Sequence, residues 1–267
     1  MRVDTNVGAV GTATMGTSVT TGGAAGTKGS AAQLIASTAI EAYWITIQAS
    51  NYNNAVTACE GALDIMIGAA TEEIVIPDLL FGYAGGAGSP IGAGKTWDFP
   101  IYIPAGTRIT ARACGARVST AFRVAVWVFG GDGLPPWKFG SQVTTYGVTV
   151  PNGTAITPGA SGAEGAFAQI TASSSKDHFC LVPSFQVEND TTVNNLYYNV
   201  DIGVGAATEE EVGSWFYSTN SNESMQGPLG RTLPAFQDVP SGTRLAMRAS
   251  CSGAIDAQYG GAIHGVT

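Results

Sequence analysis

Leu63-Asp64-Ile65-Met66-Ile67-Gly68-Ala69-Ala70-Thr71-Glu72-Glu73 is answered later in the chain by Val200-Asp201-Ile202-Gly203-Val204-Gly205-Ala206-Ala207-Thr208-Glu209-Glu210. A second block, Ile103-Pro104-Ala105-Gly106-Thr107-Arg108-Ile109-Thr110-Ala111-Arg112, returns as Val239-Pro240-Ser241-Gly242-Thr243-Arg244-Leu245-Ala246-Met247-Arg248. The blocks keep nearly the same separation in both copies, so one unit was duplicated. Upstream, Gln33-Leu34-Ile35-Ala36-Ser37 answers Gln169-Ile170-Thr171-Ala172-Ser173 in the same register. Each copy has the size of an ordinary domain, too long for a solenoid repeat.

Within each copy the apolar runs are short, rich in β-branched and aromatic residues, and separated by Gly, Asn, Ser and Pro. Tyr43 to Ile47, Leu63 to Ile67, Ile74 to Ile76 and Arg123 to Phe129 read as strands. At Pro104-Ala105-Gly106-Thr107, Pro presets φ and Gly accepts a positive one, which predicts a tight turn. The spacing predicts an all-β protein: two tandem antiparallel β-sandwich domains, jelly-roll-like, with an Ig-like sandwich as the alternative. The expected divisions are a Gly/Thr-rich N-terminal arm at 1–29, a first sandwich at 30–135, a linker or arm at 136–162 and a second sandwich at 163–267. The arm has too little to bury to offset its own ordering entropy, so it is expected to order only against a neighbour.

Charged residues make up 12% of the chain, about half the usual quarter. That deficit suits a surface largely covered by other subunits. The net charge of −8, with Lys28, Lys95, Lys138 and Lys176 isolated, argues against nucleic acid as a partner. No membrane span is expected, because the most apolar window, Ala31 to Ala49, is interrupted by Gln33, Glu41 and Gln48. The N-terminus lacks the apolar core of a signal peptide, which leads us to expect synthesis in a cytoplasm. Cys59, Cys114, Cys180 and Cys251 form no CxxC pair and read as buried thiols, so neither a zinc site nor a disulfide framework is expected.

Several stretches invite a chemical reading. Gly92-Ala93-Gly94-Lys95-Thr96 has the wrong spacing for a phosphate loop, and Trp97-Asp98-Phe99-Pro100 cannot supply the helix it needs. Arg108 and Arg112 recur as Arg244 and Arg248, on one face of a strand in each copy. The favoured reading pairs them with carboxylates of their own unit, Asp64 or Glu72 in the first and Asp201 or Glu209 in the second; the alternative is a basic stripe for an acidic partner. Adjacent glutamates point to opposite faces, so Glu72-Glu73 and Glu209-Glu210-Glu211 make no dyad by themselves. Asp177-His178 lacks any recognisable nucleophile frame. No catalytic residue, cofactor or metal site is expected. Trp97, Trp137, Trp215 and Tyr217 are candidates for contact with a partner or a glycan, although core packing and subunit contacts are the favoured account of the same residues.

Taken together, Gln33-Leu34-Ile35-Ala36-Ser37-Thr38, Leu63 to Gly68, the Pro104 to Thr107 turn, and Gly162-Ala163-Glu164-Gly165 ahead of Gln169 to Ser173 resemble structural proteins of tailed bacteriophages. The resemblance spans both copies. It implies a non-enzymatic virion component, expected to be an outer capsid decoration or cement protein and a homotrimer whose partners are its own copies and the major capsid protein. The alternative it allows is a tail-tip, fibre or baseplate module binding host surface glycan. A glycan-cleaving enzyme is a third reading, which would need a carboxylate pair facing one groove.

Overall fold

The computed structural model describes residues 1–7, 16–51, 60–69, 71–85, 95–116, 118–131, 133–159, 161–190, 197–206, 208–219, 225–226, 231–253 and 258–267. Among these there are strands and no α-helix. In the first unit they are β1 (Arg2–Thr5), β2 (Thr17–Thr20), β3 (Ala32–Ile35), β4 (Ala42–Asn51), β5 (Gly61–Ile67), β6 (Glu73–Phe81), β7 (Tyr83–Gly85), β8 (Lys95–Phe99), β9 (Ile109–Gly115) and β10 (Ala121–Gly130). The second unit holds β11 (Val143–Tyr146), β12 (Thr154–Ile156), β13 (Ala168–Thr171), β14 (His178–Asp190), β15 (Tyr197–Val204), β16 (Glu210–Thr219), β17 (Met225–Gln226), β18 (Ala235–Val239), β19 (Leu245–Cys251) and β20 (Gln258–Val266).

The strands form four sheets. In the first unit β1 and β2 both pair with β10, followed by β4 and β8; the facing sheet runs β3-β9-β5-β6. In the second unit β11 and β12 pair with β20, followed by β14 and β18, and the facing sheet runs β13-β19-β15-β16-β17. Counting β1 with β2, and β11 with β12, as one interrupted strand and leaving out the short β7 and β17, each sandwich pairs its first, eighth, third and sixth strands in one sheet and its second, seventh, fourth and fifth in the other. Two interlocked Greek keys of this kind define a jelly roll, so the topology selects it over the Ig-like alternative.

The expected division at 1–29 runs through paired structure. Val3 lies opposite Phe129 and Val19 opposite Phe122, so the arm supplies the first strand of its own sandwich. Likewise β11 and β12, expected within a linker, pair with β20. The physical reason is edge coverage: without them β10 and β20 would each present an unpaired backbone edge. Gly106 and Gly242 take φ of 78° and 85° in the repeated turn. Ile47, Ile65, Val126 and Phe99 fill the first sandwich and Leu181, Ile202, Met247 and Ile263 the second, all fully buried and members of one continuous apolar core.

The units meet face to face. The outer side of β5-β6 lies on the outer side of β11-β20-β14, where Ala62, Leu80 and Cys114 pack against Ala262. Thr145 Oγ1 donates to the Pro77 carbonyl at 2.6 Å, and the Leu80 amide to Ser184 Oγ at 3.3 Å. Elsewhere β7 pairs in parallel with β14, and Thr232 bridges to Trp97.

Candidate functional site

The repeated arginines sit in their expected strands, each against carboxylates of its own unit. Arg108 Nη1 is 2.9 Å from Glu72 Oε1, and Arg112 Nε is 2.8 Å from Asp64 Oδ2. In the second copy Arg244 bonds Glu209, while Arg248 reaches Asp201 at 2.9 Å, Glu164 at 2.7 Å and Glu211 at 2.9 Å. Lys28 adds a second cation to the first site, 2.8 Å from Asp64 and 2.7 Å from Asp78. Burial alone would raise the Asp64 carboxyl, but the Lys28 charge and hydrogen bonds from Lys28, the Asp78 amide and Arg112 hold it below the usual carboxylate range. Carboxylate oxygens of Glu164, Asp201 and Glu211 lie within 4.8 Å of one another, with Arg248 as their shared counter-charge.

Three of the four singled-out aromatics belong to the interior. Trp97, Tyr217 and Trp215 are 0%, 1% and 8% exposed, and Trp215 Nε1 donates to the Leu233 carbonyl at 2.8 Å. Buried among strands of both units, they pack the core and offer no face to a glycan. Trp137 is 38% exposed and stands edge-on to Trp44, ring centroids 6.2 Å apart.

These two tryptophans, with Phe129, Met1 and Arg231, line an open groove of about 390 Å³ on the outer side of β10-β4. Its polar floor joins both units. Fully buried Asp98 accepts hydrogen bonds from Arg231 Nε at 2.8 Å, Arg231 Nη2 at 2.6 Å, Trp44 Nε1 at 2.8 Å and the Thr46 hydroxyl. The hydrogen bond to Asp98 raises the Arg231 pKa above its ordinary value. Sequence reasoning missed this site. Period-two alternation places Trp44 and Thr46 on one face, but nothing in the chain couples Arg231 to Asp98 across a whole unit.

The histidines and Lys95 are held inside. His264 Nδ1 lies 2.8 Å from Thr145 Oγ1, which already donates to Pro77, and His264 Nε2 lies 2.8 Å from Ser184 Oγ. Nδ1 is therefore the donor and Nε2 the acceptor of the Ser184 hydroxyl. This Ser–His pair has no solvent access on either side chain, and burial pushes the imidazole down to about 3, so it locks the two units together and activates no nucleophile. His178 Nε2 sits 2.8 Å from the Tyr146 hydroxyl, and Asp177 caps the Ser241 amide at 2.7 Å. Lys95 Nζ is buried without a hydrogen-bond partner, 5.6 Å from the Tyr217 ring centroid and 6.0 Å from that of Phe185, and burial brings its pKa down to about 7. Cys114, Cys180 and Cys251 are buried free thiols; Cys59 and Gly92 to Gly94 lie outside the described residues. No helix among the described residues is long and apolar enough to cross a membrane.

No protein-family model and no curated protein matches this sequence. Among solved structures, the chain aligns with PNGase F, a glycosylasparaginase from Flavobacterium meningosepticum, over 100% of its own length and 96% of that chain, at 8% identity and a TM-score of 0.38. It aligns with PNGF-II over 88% of its length at 9% identity and a TM-score of 0.37, spanning 59% of that protein. The capsid protein VP2 of infectious bursal disease virus matches over 86% of this chain and 57% of its own, at 13% identity and a TM-score of 0.25. The expectation of a non-enzymatic capsid-coating or tail protein is corrected by the match to PNGase F, an asparagine amidase, which aligns over both units as VP2 also does. At such identities the likeness is one of all-β fold, shared with a virus coat protein too, and no residue role passes from any of these proteins to this one.

Proposed function

We propose that the protein recognises a neutral carbohydrate in the Trp44–Trp137–Arg231 groove. One observation carries this reading: two tryptophan rings and a phenylalanine stand around an arginine whose charge is already matched by Asp98. Aromatic faces take the apolar C–H side of a pyranose ring. Arg231 Nε and Nη2 are engaged by Asp98, which leaves Nη1 as a donor for a ligand hydroxyl. Because the ion pair is balanced, the groove offers directional hydrogen bonds without a net field, and this favours neutral sugars over acidic ones. The tailed-phage origin stays part of this proposal, supported by the quoted segments alone, and assigns no structural role.

Titration with neutral and acidic oligosaccharides, followed by tryptophan fluorescence and calorimetry, tests the reading. Neutral sugars are expected to bind, and Trp137→Ala to weaken binding by about two- to tenfold, since one aromatic contact is worth about 0.5–1.5 kcal/mol. Binding that survives Trp137→Ala unchanged, or no binding by any saccharide, would overturn it.

A further inference from the structure

The duplicated units are joined in one order, and that order leaves two faces over. Within the chain, the outer side of β5-β6 covers the outer side of β11-β20-β14. The same two kinds of face recur open: β15-β16 in the second unit matches the face that covers, and β1-β10-β4 in the first matches the face that is covered. Exposure follows this pairing position by position. Leu80, paired with Ala62, is fully buried, whereas Phe216, at the matching place opposite Asn199, is 46% exposed. Val143, opposite Val266, is 3% exposed; its counterpart Val3, opposite Phe129, is 50% exposed. Tyr197, 56% exposed, stacks on Phe216 with ring centroids 5.6 Å apart.

We propose that these open faces are the two halves of a heterologous interface between copies of this chain, with β15-β16 of one copy seated on β10-β4 of the next. The contact inside the chain supplies the template. Leu80 lies on Ser184, so Phe216 of one copy lies on Gln48 of the next, because Gln48 holds the place opposite Ala125 that Ser184 holds opposite Ala262. The covering kind of face is net acidic in the second unit, where Glu164, Asp201 and Glu211 outnumber Arg248. Such an interface uses a different patch on each partner, so copies add head to tail into a ring or a filament. The saccharide groove opens on this same outer side of β10-β4, so a seated copy and a bound sugar compete for it; Phe216 and Gln48 do not line the groove, so their substitution is expected to abolish association and leave sugar binding by the monomer intact.

Sedimentation velocity of the full chain across micromolar concentrations tests the proposal. The wild-type mass is expected to rise with concentration. Phe216→Glu and Gln48→Glu, each checked for an unchanged melting temperature, are each expected to remain monomeric alone. Mixed, they are expected to form a dimer, because each keeps the face that the other has lost. A wild-type chain that stays monomeric, a variant that associates as the wild type does, or a mixture that gives no dimer would overturn the proposal.

Discussion

The two carboxylate–arginine sites occupy matching sheets but hold different balances of charge. In the first unit Lys28 and Arg112 face Asp64 and Asp78, two cations against two anions. In the second, Arg248 alone faces Asp201, Glu164 and Glu211. Lys28 and Glu164 are matching residues: each precedes a glycine, Gly29 or Gly165, whose amide donates to the matching carbonyl, Ala113 or Ala249. The reversal goes with coverage. The first face lies against the other unit, where an unmatched charge would be costly, and the second lies open, where water screens the surplus.

Coverage sets the size of the largest predicted effect. His264, at the covered face, corresponds to Trp127 at the open one, opposite Thr145 and Thr5 respectively. His264→Ala leaves a cavity and takes a hydrogen-bond partner from the buried Ser184 hydroxyl and the part-buried Thr145 hydroxyl, so urea unfolding is expected to show a loss of about 3–4 kcal/mol. Trp127→Ala, on a half-buried side chain, is expected to lose about 1 kcal/mol. The wild type also carries a pH signature. The imidazole has a folded pKa of about 3 against an ordinary value of 6.5, so the unfolded chain takes the proton first. Stability is expected to fall as pH drops from 6.5 towards 3, with a shallower slope in His264→Gln.

Lys95 and Arg231 give a second matched comparison, each followed by a threonine, Thr96 or Thr232. Arg231 reaches a carboxylate and Lys95 reaches none. Replacing each with Met is therefore expected to act with opposite sign. The folded pKa of Lys95 is about 7 against 10.5 unfolded, so its cost grows as pH falls from 10.5 to 7 and is complete below that. Lys95→Met is expected to gain on the order of 3 kcal/mol at neutral pH, shrinking toward pH 10.5. Arg231→Met leaves Asp98 buried without its cation and is expected to lose about 2 kcal/mol, a figure reduced because the guanidinium is 48% exposed. Parallel urea titrations at neutral pH and near pH 10 separate the two.

What the chain disclosed in advance was local or repeated. Strand periodicity and the Pro-Gly turn gave an all-β fold, and the duplication made Arg112 and Arg248 stand out. Sheet order was not legible, because a jelly roll and an Ig-like sandwich differ in which strands meet, and strand spacing does not encode that. The arm misled for a related reason: Arg2–Thr5 and Thr17–Thr20 are too short and polar to read as strands, and they become strands only because β10 offers an edge. Trp97 and Tyr217 stayed candidates for glycan contact beside the favoured core reading because the sequence does not say that two sandwiches meet over them. The groove was hidden by distance, since Arg231 acquires its role only when the second unit brings it to Asp98 of the first.

A last pair of substitutions, one of which has the smallest effect expected, tests whether coverage sets charge balance. Lys28→Glu gives the first site the composition of the second, but beside an Asp64 that is 3% exposed, and is expected to lose about 2 kcal/mol. Glu164→Lys makes the converse change on the open face, where Glu164 is 44% exposed, and is expected to gain only about 0.5 kcal/mol in dilute buffer, with the gain vanishing in molar salt. Thermal unfolding at low and high salt reads both. Equal and opposite shifts from the two substitutions would mean that the sheets tolerate charge alike and that Lys28 is an accident of sequence. An asymmetric pair, with Lys28→Glu insensitive to salt, would tie the cation at position 28 to the burial of the face it serves.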